Sequence, residues 1–397
     1  MSTVAAAPRV FIAWALLAEC GSLALGAAVD SPAAIERRGE DEARGVAAPQ
    51  EPEWLHIGPL RIRDLTPFGI QRLDFLPAHA WNPVPGTFAL EVNLSYQNTF
   101  VLSDNVAEYL AEKGNGHRVA VTPEDAKHLF AQDEEAYLLD GELGLFDLTA
   151  HYQGRGHWSG YVTIPVLSYA DGIFDEFIES FHEQFGFETA NRELVKQDDL
   201  TVLSRLGRRR LAVFEPPDDG VGDPVFAGSY SLFVEPRKWN LIAELGVKVG
   251  FRDHDFIHSS GRNDYGAQLS LHRFFRRQAL YLSLSEVYFA GFERSAIDPP
   301  PVVRRWIASA VAGYEFKIRG PVNGILQLYV SPSTVQGTTV DEVTKDKYQA
   351  SGGVQGHHDG WIYRLAVTEN LQNFENTPDI GATVSITRMV VGRRTKR

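Results

Sequence analysis

The sequence is almost free of cysteine, since Cys20 is the only one among 397 residues. Cys20 lies inside an apolar N-terminal stretch that we predict to be removed, so we expect the mature chain to carry no thiol. A chain without thiols has no disulfides, no zinc–thiolate site and no cysteine nucleophile.

Basic residues and long apolar runs are also scarce. The chain has 38 lysine and arginine residues against 51 acidic ones, which gives a formal charge of -13. This balance argues against a sequence-independent nucleic-acid binder, because neutralising phosphates requires a basic face. After residue 55 no apolar run approaches the roughly 20 residues that a membrane-spanning helix needs.

The N-terminal region has the pattern of a secretory signal peptide. Arg9 precedes the apolar run 10–18, and small residues follow before Val29, so we predict a signal peptide over residues 1–28. A membrane anchor is the alternative, but residues 19–22 interrupt the run. Residues 29–56 cannot bury a core and are predicted to be a flexible linker. Residues 391–397 are predicted to form a basic C-terminal tail.

Segments of about ten residues that alternate apolar and polar side chains dominate the remaining sequence. In the clearest one, Phe88, Leu90 and Val92 fall on one side, whereas Glu91 and Asn93 fall on the other. This is the period of a strand with two different faces. The predicted strands span residues 87–96, 144–152, 158–167, 225–234, 239–249, 265–271, 280–289, 306–316, 325–330, 348–354, 361–370 and 380–390.

The connections between these strands alternate between short and long. Short links are predicted at 153–157, 236–238, 274–278, 320–323 and 357–360, and longer ones between them. Outer-membrane barrels join their strands in this way, with short periplasmic turns and long extracellular loops. We therefore predict an all-β protein, a transmembrane antiparallel β-barrel of about 12 strands over residues 57–390. A soluble secreted β-protein is the alternative. Aromatic residues near the strand ends are typical of the interfacial girdles of a membrane barrel, but aromatic residues also favour strands in general.

Two of the long loops are predicted to carry short helices. Thr122, Pro123 and Asp125 are typical of a capped helix start, which predicts a helix over 123–131. In the larger loop an apolar stripe recurs at helical spacing. It packs on the barrel mouth as local core, or it acts as a gate or ligand-contacting lid. The stripe consists of Phe174, Phe177, Ile178, Phe181 and Phe185.

Several motifs along the chain resemble one bacterial family. They include IGPLRIRDLTPFG, DGELGLFDLTAHYQGRG, DGIFDEFIESFHEQFGF, GVGDPVFAGSYSLF, SGRNDYGAQLSL, TENLQNF and TPDIGATVSI. In this order they are similar to the outer-membrane family catalogued as domain of unknown function 3187, over roughly residues 57–390. The resemblance implies an outer-membrane β-barrel and no established activity. The chain departs from usual barrels by ending in VVGRRTKR rather than on an aromatic residue.

If the apolar faces point to lipid, ionisable side chains on the opposite faces point into the lumen. Such groups mark either a water-filled path or an interior filled by ion pairs, because charge at membrane depth is costly unless paired or wet. The lumen-facing candidates are Glu91, Asp147, His151, Glu244, Lys248, Asp264, His272, Glu315, Lys317 and Arg364.

The function predicted from these features is a channel or transporter for small molecules in the bacterial outer membrane. A closed structural or adhesive barrel is one alternative. A barrel enzyme using His151, His157 or His272 is another, although His157 and Ser159 lack an assignable third group and no catalytic residue is assigned. No cofactor and no metal site are predicted. The expected partners are outer-membrane lipid and lipopolysaccharide, the barrel-assembly machinery and a small-molecule ligand.

Overall fold

The computed structural model describes residues 55–391, with gaps at residues 65, 81–84, 155, 173–174, 186–190, 208, 236–237, 252–257, 290–303 and 373–378. The predicted signal peptide, nearly all of the predicted linker and the C-terminal tail from residue 392 lie outside the described residues. Those three predictions therefore stay predictions.

The described chain is mostly strand, with four helices. The strands are β1 (Thr87–Leu102), β2 (Ala136–Gln153), β3 (Trp158–Ala170), β4 (Thr201–Leu206), β5 (Arg209–Val213), β6 (Gly220–Val221), β7 (Val225–Glu235), β8 (Trp239–Lys248), β9 (Asp264–Phe274), β10 (Gln278–Phe289), β11 (Trp306–Arg319), β12 (Val322–Ser331), β13 (Lys347–His358), β14 (Trp361–Gln372) and β15 (Ile380–Val391). The helices are α1 (Pro67–Ile70), α2 (Asp104–Gly114), α3 (Pro123–Ala131) and α4 (Asp175–Phe185).

Twelve of the strands close into one antiparallel barrel. β1 pairs with both β2 and β15, β2 pairs with β3, β3 pairs with β7, and β7 to β15 pair in sequence order. β4, β5 and β6 lie outside this ring, because they add to the ends of β2 and β3 on the long-loop side. The predicted transmembrane barrel of about 12 strands is confirmed.

The wall of the barrel has an apolar outer face and a polar inner face. Leu245 is 70% exposed and Trp158 is 62% exposed on the outside, as lipid-facing positions should be. On the inside, buried and partly buried hydroxyl groups pair across neighbouring strands. These pairs are Ser95–Thr383, Thr149–Thr163, Ser159–Ser229, Ser270–Ser283, Ser309–Ser331 and Ser351–Thr368.

The long-loop side carries a small apolar core of its own. Val106 and Leu110 of α2 and Leu129 of α3 pack with Leu138 of β2. The predicted start of α3 is confirmed. The Thr122 hydroxyl accepts from the backbone N–H of Asp125, and the backbone N–H of Thr122 donates to the Asp125 carboxylate at 2.7 Å. Helix α2 has no counterpart among the sequence predictions.

None of the helices in the described ranges is long and apolar enough to cross a membrane.

Candidate functional site

Residues 55–80 do not belong to the wall but thread through the inside of the barrel, and we call them the plug. At the short-turn end, the backbone N–H of Ala80 donates to the carbonyl of Ile57 at 3.2 Å, so both ends of the plug lie together. The N–H groups of Ile57 and Gly58 donate to the Glu315 carboxylate of β11 at 3.0 and 3.2 Å. Between these ends the chain rises to the long-loop end, where it forms α1, and then returns.

The top of the plug is held by a buried ion cluster. The Lys347 ammonium at the start of β13 donates to the Asp64 carboxylate at 2.5 Å and to the Thr66 hydroxyl at 2.8 Å. The Arg72 guanidinium lies 3.6 Å from the same carboxylate and donates to the Tyr329 hydroxyl at 2.5 Å. Asp64 is fully buried and Lys347 is 1% exposed. Asp64 therefore joins the plug to the wall through a desolvated ion pair.

A second anchor at the same end explains two sequence motifs. In GVGD and SGRND, Asp223 and Asp264 both approach the Lys248 ammonium, at 3.0 and 3.2 Å. Lys248 also donates to the carbonyl of Gln71, and Asp264 accepts from the backbone N–H of Leu73 at 2.9 Å. These motifs tie the ends of β8 and β9 to the returning arm of the plug.

The middle of the plug faces carboxylates of the wall. The Arg61 guanidinium donates to Glu91 of β1 at 3.2 Å, and the Arg63 guanidinium donates to Asp147 of β2 at 2.8 Å. Arg61 also lies 5.7 Å from the ring centre of Tyr161, whose hydroxyl donates to Glu244 at 2.9 Å. The plug thus presents guanidinium groups where the wall presents acids.

One group of possible metal ligands lies near the short-turn end of the plug. Among the described residues, ligand atoms of His79, Glu91 and His151 lie within 4.8 Å of one another. Two guanidinium groups already lie beside these ligand atoms. Arg61 binds the Glu91 carboxylate, and Arg364 lies 3.8 Å from it and 3.1 Å from Nδ1 of His79. Because these cations supply the positive charge, the arrangement favours a hydrogen-bonded network over a metal site.

The structure places the ten lumen-facing candidates as follows. Nine are buried or nearly so on the inner face, namely Glu91, Asp147, His151, Glu244, Lys248, Asp264, His272, Glu315 and Arg364. Lys317 is half-buried near the short-turn end. Seven of the ten contact residues of the plug, namely Glu91, Asp147, His151, Lys248, Asp264, Glu315 and Arg364. Glu244 instead accepts from Tyr161, and His272 packs edge-on against Tyr281 at 5.0 Å.

The predicted stripe helix forms as α4, with Ile178 buried. Phe174 and the side chains of Phe177, Phe181 and Phe185 lie outside the described residues. At the start of α4, Asp175 binds Arg192 at 3.1 Å, and Arg192 also binds Asp379 at 2.5 Å. Burial lowers the pKa of Arg192, but the attraction of Asp379, Asp140 and Asp175 outweighs it, so the net pKa is raised. Asp175 ties α4 to the barrel mouth.

The hydroxyl and imidazole considered for an enzyme have other neighbours. The Ser159 hydroxyl lies 2.6 Å from the Ser229 hydroxyl, and the His157 ring packs edge-on against Tyr230 at 5.8 Å. Ser159 therefore belongs to the hydroxyl pairs of the inner face, and His157 packs on an aromatic ring.

Sequence reasoning missed the plug, although a signal for it was present. The ten lumen candidates include five carboxylates but only three lysine or arginine residues. Buried acids need partners, so the missing cations had to come from another segment. In the structure, Arg61 and Arg63 in the stretch before the first strand supply two of them, to Glu91 and Asp147.

Several solved structures resemble the barrel at a distance. The COG4313 outer membrane channel from Pseudomonas putida F1 shares 11% identity at a TM-score of 0.47, covering 80% of this chain and all of that one. A Pseudomonas aeruginosa FadL homologue shares 10% at a TM-score of 0.35, covering 79% and 93%. The Pseudomonas putida toluene transporter TodX shares 11% at a TM-score of 0.36, covering 84% and 96%. Likenesses this distant carry no argument about cargo.

No curated protein matches the chain. A family model described as "Protein of unknown function (DUF3187)" matches residues 45–389. This match covers most of the chain and agrees with the motifs that suggested the resemblance. The protein therefore belongs to the DUF3187 family.

Proposed function

We propose that the protein is a small-molecule channel of the bacterial outer membrane that the plug holds closed. The observation that carries this proposal is the polar interface between plug and wall. Arg61, Arg63 and Asp64 meet charged partners on the wall, and hydroxyl pairs line much of the remaining inner face. An interior of this kind becomes a hydrated path once the plug leaves it, as in polar-lined porins.

The attachment of the plug also supports a movable element. Residues 55–80 add no strand to the sheet, and the backbone of the plug reaches the wall through side chains such as Glu315 and Asp264. Displacing the plug would therefore leave the backbone ladder of the barrel intact. Every strand of the wall would keep its two neighbours.

A permanently closed barrel is the second candidate, and one observation favours it. Arg72 and Lys347 rank among the largest fully buried side chains of the described residues. Groups this well desolvated and paired can act as structural filling. In that case the plug would be part of the core and would not move.

Planar-bilayer recordings separate the two candidates. We expect the full chain to open rarely, and a variant lacking residues 57–80 to conduct continuously. Both proteins must first show heat-modifiable gel migration, which reports a closed barrel. A folded deletion variant that does not conduct would refute the channel and support the closed barrel.

The proposal extends to location and partners. We propose that the chain is secreted through a signal peptide at residues 1–28 and inserted by the barrel-assembly machinery, and that its long loops contact lipopolysaccharide. Cell fractionation tests the location directly. Recovery of the mature chain in the soluble periplasmic fraction would refute it.

A further inference from the structure

The wall of the barrel carries a compact group of acids beside an aromatic ring. Glu91 of β1, Asp147 of β2, Glu244 of β8 and Tyr161 of β3 face the lumen, and we call these four residues the cation seat. The three carboxylates are at most 5% exposed. The Tyr161 hydroxyl donates to Glu244 at 2.9 Å, which joins the aromatic ring to the acids.

Two arginine side chains of the plug occupy the cation seat. Arg63 binds Asp147 at 2.8 Å, and Arg61 binds Glu91 at 3.2 Å while its guanidinium carbon lies 5.7 Å from the ring centre of Tyr161. A carboxylate that accepts a charge-assisted hydrogen bond from a guanidinium beside an aromatic face is a recognition pattern for organic cations. The plug thus places guanidinium groups in a receptor built by the wall.

Among the described residues, the wall brings one guanidinium and one imidazole within 4.0 Å of these acids. Arg364 is the wall cation that approaches Glu91, at 3.8 Å, and His151 lies 3.7 Å from the same carboxylate. When Arg61 and Arg63 leave with the plug, these two groups are what remains beside the three acids in the described part of the wall. Acidic groups lining a pore attract cations, so the emptied seat favours a positive ligand over a neutral or anionic one.

We infer that the cation seat binds a small organic cation with a guanidinium or primary ammonium group, for which Arg61 and Arg63 stand in while the plug is closed. The inference rests on the proposed channel, because the plug must move for the seat to open to cargo. A guanidinium ligand at the position of Arg61 gains two partners that stay with the wall, the Glu91 carboxylate and the face of the Tyr161 ring.

Chemical rescue tests the seat without requiring conductance. In the full-length Arg61→Ala variant, removal of the side chain vacates one guanidinium position beside Glu91, whether the plug is closed or open. Methylguanidinium is titrated by calorimetry at constant ionic strength, with sodium chloride as the reference. We expect the variant to bind it at least about tenfold more tightly than the wild type does.

Two matched variants control this test. Arg273→Ala removes an arginine that stacks 4.6 Å from the ring centre of Trp239 on the outer face, away from the acids, and should gain no binding. Adding Glu91→Gln to Arg61→Ala should abolish the gain. If Arg61→Ala does not fold, Arg63→Ala with Asp147→Asn as its control takes its place.

The outcomes distinguish the seat from the channel. Methylguanidinium binding to Arg61→Ala no tighter than to Arg273→Ala, or undiminished by Glu91→Gln, overturns the seat whatever the conductance. Selective rescue in a protein that never conducts preserves the seat as a binding site and refutes the channel. Conductance that excludes methylguanidinium but passes potassium also overturns the proposed cargo class.

Discussion

The ion pair at the top of the plug gives the most direct test of a movable plug. Lys347 donates to the Asp64 carboxylate at 2.5 Å, and the two side chains are 1% and 0% exposed. Lys347→Met removes the ammonium and keeps a side chain of similar length. Asp64 then retains Arg72 at 3.6 Å as a counter-charge, which is farther away and shared with Asp74.

The size of the effect follows from the burial of both partners. Removing one member of a buried pair typically costs about 3–5 kcal/mol, because the other charge stays desolvated. The remaining contact with Arg72 reduces this, so we take the lower end, about 3 kcal/mol. If only the closed state loses this energy, the ratio of open to closed plug rises by roughly two orders of magnitude, since about 1.4 kcal/mol corresponds to a factor of ten.

Single-channel recordings measure this ratio as open probability. Lys127→Met is the control, because Lys127 is 78% exposed on α3 and pairs weakly with Glu124 at 3.8 Å; it should leave the open probability unchanged. Adding Asp64→Asn to Lys347→Met should restore most of the closure, since replacing both charges is often nearly neutral. A folded Lys347→Met variant that stays as closed as the wild type would refute the reasoning.

Three further predictions concern a lipid-facing side chain of the wall, the N-terminal cap of α3 and a glycine of the plug. Leu245→Arg places a charge at a lipid-facing position that is 70% exposed and should cost about 2–4 kcal/mol in denaturant titrations in vesicles; Leu245→Phe should cost little, and equal stability of both variants would contradict a lipid contact. Burial raises the pKa of Asp125, but hydrogen bonds from Lys113, Tyr109 and Thr122 outweigh it and hold the pKa below its ordinary value of 3.8. The stabilisation of α3 by Asp125 is therefore complete above that value and is lost as the pH falls through the lower, folded-state pKa. Hydrogen exchange of α3, corrected for its intrinsic pH dependence, should show this loss in the wild type and not in Asp125→Asn. Gly58→Ala should loosen the plug and expose it to protease, because Gly58 has φ +109° and an added Cβ would lie 2.5 Å from the backbone nitrogen of Ala80; Gly86→Ala, at φ +88° with open space around it, is the control, and equal protection of both variants would argue against this contact.

The sequence predicted the barrel wall because lipid and lumen impose different requirements on alternate residues. The strand predicted over 87–96 is the first part of β1, Thr87–Leu102. The prediction for β2 began at residue 144, whereas the strand begins at Ala136. Between residues 136 and 143 apolar and polar side chains do not alternate, because both faces of the strand are covered. Leu138 packs with the core of α2 and α3, and Leu139 packs with Val335 in a loop.

The plug could not be predicted from periodicity. Leu60 and Ile62 alternate with Arg61 and Arg63, which is the pattern of a two-faced strand. In the structure both kinds of side chain are buried, because the segment is surrounded by the wall on all sides. The alternation of residues along each strand is enough to assign the acids to the lumen face. It cannot identify the arginines that bind them, because those arginines lie in a segment that pairs with no strand.

The two faces of the plug are held by different forces, and this difference determines how it can move. Leu60 and Ile62 pack against Phe274, Tyr281 and Ile325 on the side of β9, β10 and β12, whereas Arg61 and Arg63 face β1, β2 and β3. Water and mobile ions can replace the partners of an ion pair as the lumen hydrates, but exposing apolar surface costs about 25 cal/mol per Å² with no such replacement. Hydration should therefore separate the plug first from the acidic side of the wall. The path that opens would be lined by Glu91, Asp147 and Glu244, so the arrangement that closes the barrel also selects the charge of what passes through it.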